Sequence, residues 1–359
     1  MPRVAMKARR RVPITAWLRC AVVVAAVCAS GATVDAQGQA GAQAPGRSRH
    51  TADEVRYRPG RPDLAATGVQ VLPVQGQVHL IATGQGSNVV VLAGEQGVIL
   101  VDTSVLAVSD QVIAEIRKLS ARPIRGIVNT TLDLDHIGAN EKIALLGQPM
   151  FLGNTGFTNR PQATIFAHEN ALNQVSAPTG ETPSLPETMW PTDTFFTAKK
   201  KMFFNGEPIE LRHAPGHTDG DIFVWFRQSD VIAAGQLFST ESYPRFDPAR
   251  GGTMQGILDG LNAIIDIAVP AFNQQGGTRI VPARGRIANQ SDVVEYRDMA
   301  TIVRDRVRDA RAQGLTLDQI KARRFTLDYD GIYATPAYTG DMFVEAIYND
   351  LGRSGAAGR

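Results

Sequence analysis

Cysteine is almost missing from this 359-residue chain: there are two, Cys20 and Cys28, and both fall within the first 36 residues. Once such a leader is removed, disulfides, thiolate nucleophiles and cysteine-rich zinc sites are excluded. Net charge is scarce as well. The chain has 37 Lys and Arg against 35 Asp and Glu, and six of the basic residues (Arg3, Lys7, Arg9, Arg10, Arg11, Arg19) but one acid, Asp35, precede Gln37. Subtracting these leaves 31 basic and 34 acidic residues. The slight positive charge therefore belongs to the leader and gives no reason to expect a nucleic-acid partner. Long apolar runs are lacking too. The most sustained one, Cys20–Cys28, is too short to cross a bilayer, so no membrane span is expected after its removal. Glycine and proline are neither periodic nor dominant, which excludes collagen-like and wholly disordered classes, and no repeat of 20–50 residues points to a solenoid.

What is present begins with that leader. A basic stretch ending at Arg19, the apolar run and the small-residue sequence Val34-Asp35-Ala36 predict an export signal over residues 1–36 and a periplasmic or secreted protein. Residues 37–60, small, polar and Gly-rich at their start, read as a flexible linker, 61–352 as one domain with C-terminal helices, and 353–359 as a flexible tail.

From Val69 the texture becomes β-branched. Val69–Leu72, Val78–Thr83, Asn88–Ala93 and Gly97–Asp102 predict an antiparallel meander, with Gly94-Glu95-Gln96-Gly97 as a hairpin turn. A helix over Ser109–Leu119 carries Val112, Ile113, Ile116 and Leu119 on one stripe, and Ile124–Asn129 reads as a buried strand. A second pass covers Glu141–Leu146, Met150–Gly153 and Thr164–Val175, and Ser176–Pro191 reads as a long loop. Strands resume at Lys201–Phe204, Ile209–Ala214, Ile222–Phe226 and Val231–Ala234. Helices are expected over Thr253–Ala268, Ser291–Gln313, after the capping box Thr316-Leu-Asp-Gln319, and over Asp341–Leu351. The whole predicts a layered α/β or α+β domain.

Two segments carry chemistry. In Ile127-Val-Asn-Thr-Thr-Leu-Asp-Leu-Asp-His-Ile-Gly-Ala-Asn140 a buried strand runs into polar residues, where α/β sheets place their sites. Thr131, Asp133 and Asp135 are spaced by two and would point one way in extended chain, with His136 adjacent. Two carboxylates and an imidazole suit a cation or an oriented water. A capping loop with Asp135 on the following helix and Asp133 in solvent explains the spacing equally well. The second segment, Arg212-His-Ala-Pro-Gly-His217-Thr-Asp-Gly-Asp221, presents His217 on a turn that Asp219 and Asp221 would brace. His79, His168 and His213 read as structural.

From about Val69 to Leu351 the chain resembles the metallo-β-lactamase superfamily, and within it the exported hydrolase-like proteins related to quinoprotein systems. The resemblance rests on Gly97-Val-Ile-Leu-Val-Asp102-Thr, Asn129-Thr, Gly138-Ala-Asn140, Ala167-His-Glu-Asn170, His217-Thr-Asp-Gly-Asp221, Gly235-Gln-Leu-Phe238, Val281-Pro-Ala-Arg-Gly285 and Phe343-Val-Glu-Ala-Ile-Tyr348, in that order. It implies a four-layer αββα sandwich with the site at one edge between two sheets. It also implies that Thr131, Asp133, Asp135 and His136 stand where the family has His-x-His-x-Asp-His. His217 keeps its place as a ligand, Gln236 stands at the bridging carboxylate and Arg284 at the last histidine. Asp102 corresponds to a buried supporting acid, and Tyr243 and Phe246 would lie at the pocket mouth.

On that mapping Asp133, Asp135, His136 and His217 are weak metal candidates. No cofactor is expected at full occupancy, and a single weakly bound zinc is the most that is expected. A salt bridge from Arg284 to Asp135 or Asp133 is expected in place of the dinuclear site. Three functions follow: a binding or accessory protein for a small anionic molecule, with hydrolysis lost or altered; a mononuclear hydrolase of an ester, thioester, lactone or lactam; and metal-free acid–base catalysis, with Asp135 or His136 as base and Arg284 on an oxyanion.

Overall fold

Short apolar runs that alternate or stay wholly hydrophobic pair into two sheets. The computed structural model describes residues 68–150, 161–176, 184–273 and 276–357. The expected leader over 1–36 and the expected linker over 37–60 lie outside these residues, as do most of Met150–Gly153 and part of the expected loop Ser176–Pro191.

The first sheet takes its strands in chain order: β1 (Val69–Gln75), β2 (Val78–Thr83), β3 (Val89–Gly94), β4 (Gly97–Val101), β5 (Ile124–Val128), β6 (Thr164–His168) and β7 (Asp193–Phe195). It is antiparallel through β4, where Gly94 and Gly97 face each other across the expected two-residue turn. From β4 to β7 it is parallel, so each step needs a crossover. These are supplied by α1 (Ser109–Leu119), by α2 (Leu134–Ile137) with α3 (Asn140–Leu145), and by α4 (Glu169–Val175).

The second sheet has the order β12-β11-β10-β9-β8, with β8 (Lys199–Phe204), β9 (Glu207–His213), β10 (Ile222–Phe226), β11 (Val231–Ser239) and β12 (Arg279–Arg284). Only β11 and β12 run parallel within it, joined through α5 (Met254–Ile267). The chain closes with α6 (Gln290–Ala312), α7 (Leu317–Ala322), α8 (Asp330–Tyr333) and α9 (Gly340–Ala357).

Three apolar layers hold this together. Leu80, Leu92, Ile99 and Phe166 of the first sheet meet Leu211, Val224, Phe226 and Val281 of the second. Behind the first sheet, Ile81, Val91 and Leu100 pack on Val112, Ile116 and Ile143. Behind the second, Phe223 and Ile232 pack with Ile257, Leu261, Val293, Tyr296 and Phe343. Each such side chain contributes about 1.5–3 kcal/mol on burial. The architecture is therefore αββα, as expected. Among the described residues no helix is long and apolar enough to cross a membrane.

Two strands escape the sequence pattern. The three residues of β7 are too few to show a period. In β12 Pro282 argues against a strand, yet β12 lies at a sheet edge, where a missing N–H is tolerated. The terminal helix also runs on to Ala357, into the stretch expected as tail.

Candidate functional site

Strand ends of both sheets converge on one edge of the sandwich. Directly after β4, Asp102 adopts a left-handed φ of 60°, held by its bonds. Its Oδ1 accepts the Thr130 N–H at 2.8 Å, and its Oδ2 accepts the Thr130 hydroxyl at 2.6 Å and His136 Nδ1 at 2.8 Å. His136 is fully buried, and its Nε2 donates to Gln236 Oε1 at 3.0 Å. Both ring nitrogens thus act as donors. Burial opposes a charge on this ring, but the Asp102 carboxylate outweighs it and His136 is pushed up to about 9.

Asp133 and Asp135 do not share a direction. The chain turns into α2 immediately after Asp133, so the extended spacing is lost and the two carboxylates take different partners. Asp135 Oδ2 accepts Arg284 Nη2 at 2.5 Å, while Arg284 Nη1 donates to the Gly86 carbonyl at 2.8 Å. Asp133 Oδ2 accepts His217 Nε2 at 2.6 Å, and its Oδ1 faces Arg250 Nη2 at 2.6 Å. Arg250 is fixed in turn by Asp247, through Nε at 2.7 Å. Burial works to raise the Asp133 carboxyl, yet His217 and Arg250 hold it well below the usual carboxylate range. His217, whose Nδ1 donates to the Arg245 carbonyl at 3.1 Å, is raised by the same pairing against the effect of its burial.

Around these pairs, Asp221 accepts Thr218 N–H at 2.9 Å and its hydroxyl at 2.7 Å, bracing the His217 turn. Asp219 takes Gln174 on its side chain, and its carbonyl accepts Asn170 and His213. His213 stacks on His168, ring centroids 3.6 Å apart. Thr131 is buried, and its hydroxyl has no hydrogen-bond partner among the described residues. The site thus brings together Asp102, Thr131, Asp133, Asp135, His136, His217, Gln236 and Arg284, but in separate groups: Asp102 with His136 and Gln236, Asp133 with His217, Asp135 with Arg284, and Thr131 apart.

Arg250 and Asp247 were missed by sequence reasoning. They sit on a short turn, Asp247-Pro-Ala-Arg250, and the only local signal was the Gly251-Gly252 pair that follows. Gly251 is left-handed at φ 76°, and a Cβ on Gly252 would lie 2.0 Å from the His217 carbonyl. Those glycines let the arginine turn pass against the histidine turn.

A cavity of about 340 Å³ adjoins Gln236 and Arg284 and is lined further by Ser239, Glu241, Ser242, Tyr243, Arg245 and Tyr296, so two guanidiniums and one carboxylate face it. The Arg245 guanidinium lies 4.7 Å over the Tyr338 ring. Tyr243 reaches the cavity as expected. Phe246 does not line it and packs instead against the helical core.

Zinc needs several carboxylate or neutral imidazole donors aimed at one point. Among the described residues no three His, Cys, Asp or Glu side chains form such a group. Asp133 and His217 bond to each other, Asp135 to a guanidinium, and both His136 nitrogens are occupied. As arranged, this donor set does not fit a dinuclear zinc centre.

The sequence model of the metallo-beta-lactamase superfamily matches residues 82–282, more than half of the chain. The protein belongs to the metallo-β-lactamase superfamily. The matched span takes in every residue of the site except Arg284. Among solved structures, the superfamily fold of this chain is similar to the stereoselective inverting sec-alkylsulfatase Pisa1 from Pseudomonas sp., with a TM-score of 0.59 and 14% identity. That match covers 78% of this chain and 50% of the sulfatase, so the chain spans about half the sulfatase's length. A metallo-beta-lactamase from Pontibacter korlensis matches 65% of this chain and 99% of its own, at 15% identity and a TM-score of 0.48. No curated protein matches.

Proposed function

We propose that this superfamily member is exported, that two aspartate–arginine pairs stand where a dinuclear zinc site would be, and that it binds a small anionic molecule in the adjoining cavity. In this reading hydrolysis is lost or much altered. The observation that carries it is the Asp135–Arg284 pair, both side chains about one-third exposed, opening beside the cavity that Arg245 also lines. A divalent ion about 4 Å from a guanidinium is repelled by roughly 8 kcal/mol at an effective dielectric near 20. Two arginines, Arg284 and Arg250, therefore oppose the metal and neutralise the carboxylates it would have used. A ligand carboxylate, phosphate or sulfate could take the place of Asp135 on Arg284, because a planar guanidinium accepts such groups in a two-pronged bond. A cavity of this size suits a small molecule. His136, held protonated, is not a base near neutral pH and serves instead to fix Gln236 beside the cavity.

Two measurements test this. Elemental analysis of protein purified without chelator should find well under one equivalent of zinc. Stoichiometric zinc that survives dialysis would overturn the reading in favour of a metal-dependent hydrolase. A panel of small carboxylates, phosphates and sulfates should then include members that raise the melting temperature by about 2–4 °C, as near-saturating ligand does in a domain this large. The shift should persist with chelator and vanish in Arg284→Ala.

A further inference from the structure

Among the described residues no further strand pairs with β7 or β8 where the chain passes from one to the other, and the composition of this edge is unusual. Both strands lie at the margin of their sheets and are joined only by Phe196-Thr-Ala198. Phe196 is 77% exposed and Phe203 72%. Between them Lys199 and Lys201 are exposed and alternate with Phe203 on one face of β8. Lysines alone would be the ordinary protection of an edge against pairing with another chain. Two exposed phenylalanine rings have the opposite effect and need another cause.

The neighbouring strand deepens the charge. Lys199 pairs directly with Arg212 across β8 and β9, a like-charge pair that destabilises the sheet when nothing intervenes. The next row sets Lys201 opposite Glu210, which is shared by Arg212 at 2.8 Å and Arg227 at 3.6 Å. Both guanidiniums lie over Trp225, at 5.3 and 5.2 Å from its ring. Four cations thus surround one carboxylate, Phe203 stands on the same face of β8 as the two lysines, and the exposed Phe196 lies three residues before Lys199.

We propose that this edge docks the protein on an anionic lipid surface. The lysines and arginines meet phosphate headgroups, and Phe196 and Phe203 enter the boundary of the acyl region, the combination by which peripheral proteins hold to bilayers. A second copy of the chain is a poor occupant, because pairing β8 with itself sets a run of three lysines, Lys199-Lys-Lys201, against another. A nucleic acid is a poorer one, since along the chain the two phenylalanines flank the lysines rather than interleave with them.

The test uses the full chain with Cys20→Ser and Cys28→Ser, so that one introduced thiol can carry an environment-sensitive fluorophore. Phe203→Cys places it on the proposed surface. Phe272→Cys, at a residue 87% exposed in the connection that leads into β12, the strand at the other edge of the sheet, is the control. Vesicles of phosphatidylglycerol mixed with phosphatidylcholine should raise emission severalfold at 203 and leave 272 unchanged. Phosphatidylcholine alone should do neither. The response should fade at about 0.5 M salt, where screening reaches within a few ångströms, and weaken at least about tenfold with Lys199→Glu and Lys201→Glu. No response at 203 overturns the proposal. So does an equal response at both positions or on neutral vesicles, or a larger response to a DNA duplex than to anionic vesicles.

Discussion

The buried His136 ring ties together residues from three stretches of chain. Its charge is tolerable only because Asp102 lies 2.8 Å away and Gln236 supplies a second acceptor. Asp102→Asn keeps the shape and removes the charge, and also weakens the bonds from Thr130. Breaking a buried pair in this way costs about 3–5 kcal/mol, so urea denaturation should show a loss of that size. A change under about 1 kcal/mol, the value of an exposed pair, would mean that the ring is not charged in the folded protein. Asp102 and His136 could be singled out in the sequence by their motifs. Arg250 could not, because nothing within its own turn says which carboxylate its side chain will reach.

Helices declare themselves through their ends as much as through their stripes. Thr253, Asn289 and Thr316 each accept a backbone N–H from their helices, and Asn289 and Thr316 complete reciprocal capping boxes with Asp292 and Gln319. The helix α6 that Asn289 starts buries Val293, Tyr296, Ala300 and Val303 against the second sheet, so its first turn anchors one whole outer layer. Asn289→Ala should cost about 1 kcal/mol and lower the melting temperature by about 2–4 °C in a domain of this size. Asn289→Ser, which can still cap, should recover most of it. These ends were legible because a cap is a local bond. The strands β7 and β12 were not: their pairing is settled by neighbours brought from elsewhere in the chain, and neither length nor composition marks them.

The pH response belongs to the molecule as a whole, because buried histidines pull it in opposite directions, His168 one way and His136 with His217 the other. Burial, reinforced by His213 and opposed by Asp219, lowers His168 to about 4 from an ordinary 6.5. The unfolded chain therefore takes up that proton first as pH falls. The contribution of His168 is complete above 6.5 and lost as pH drops toward 4. For His136, raised to about 9, the contribution is complete below 6.5 and lost as pH climbs through 9. Melting temperature should peak near pH 6.5 and fall on both sides. His168→Asn, which keeps an acceptor for the Asn170 N–H, should flatten the acid limb and leave the alkaline one alone. An acid limb unchanged in that variant would place the titration elsewhere.

Most strands and helices in their order, the capped helix starts and the residue types around the site were set down in the linear chain, because each depends on local spacing or on recognisable motifs. Which carboxylate pairs with which cation was decided only by folding. Thr131, Asp133 and Asp135 share a face in an extended strand, but one turn of helix after Asp133 sends Asp135 to Arg284 and leaves Asp133 to His217 and Arg250. Those partners lie between 84 and 149 residues away along the chain, and only the convergence of strand ends from two sheets brings them within a hydrogen bond.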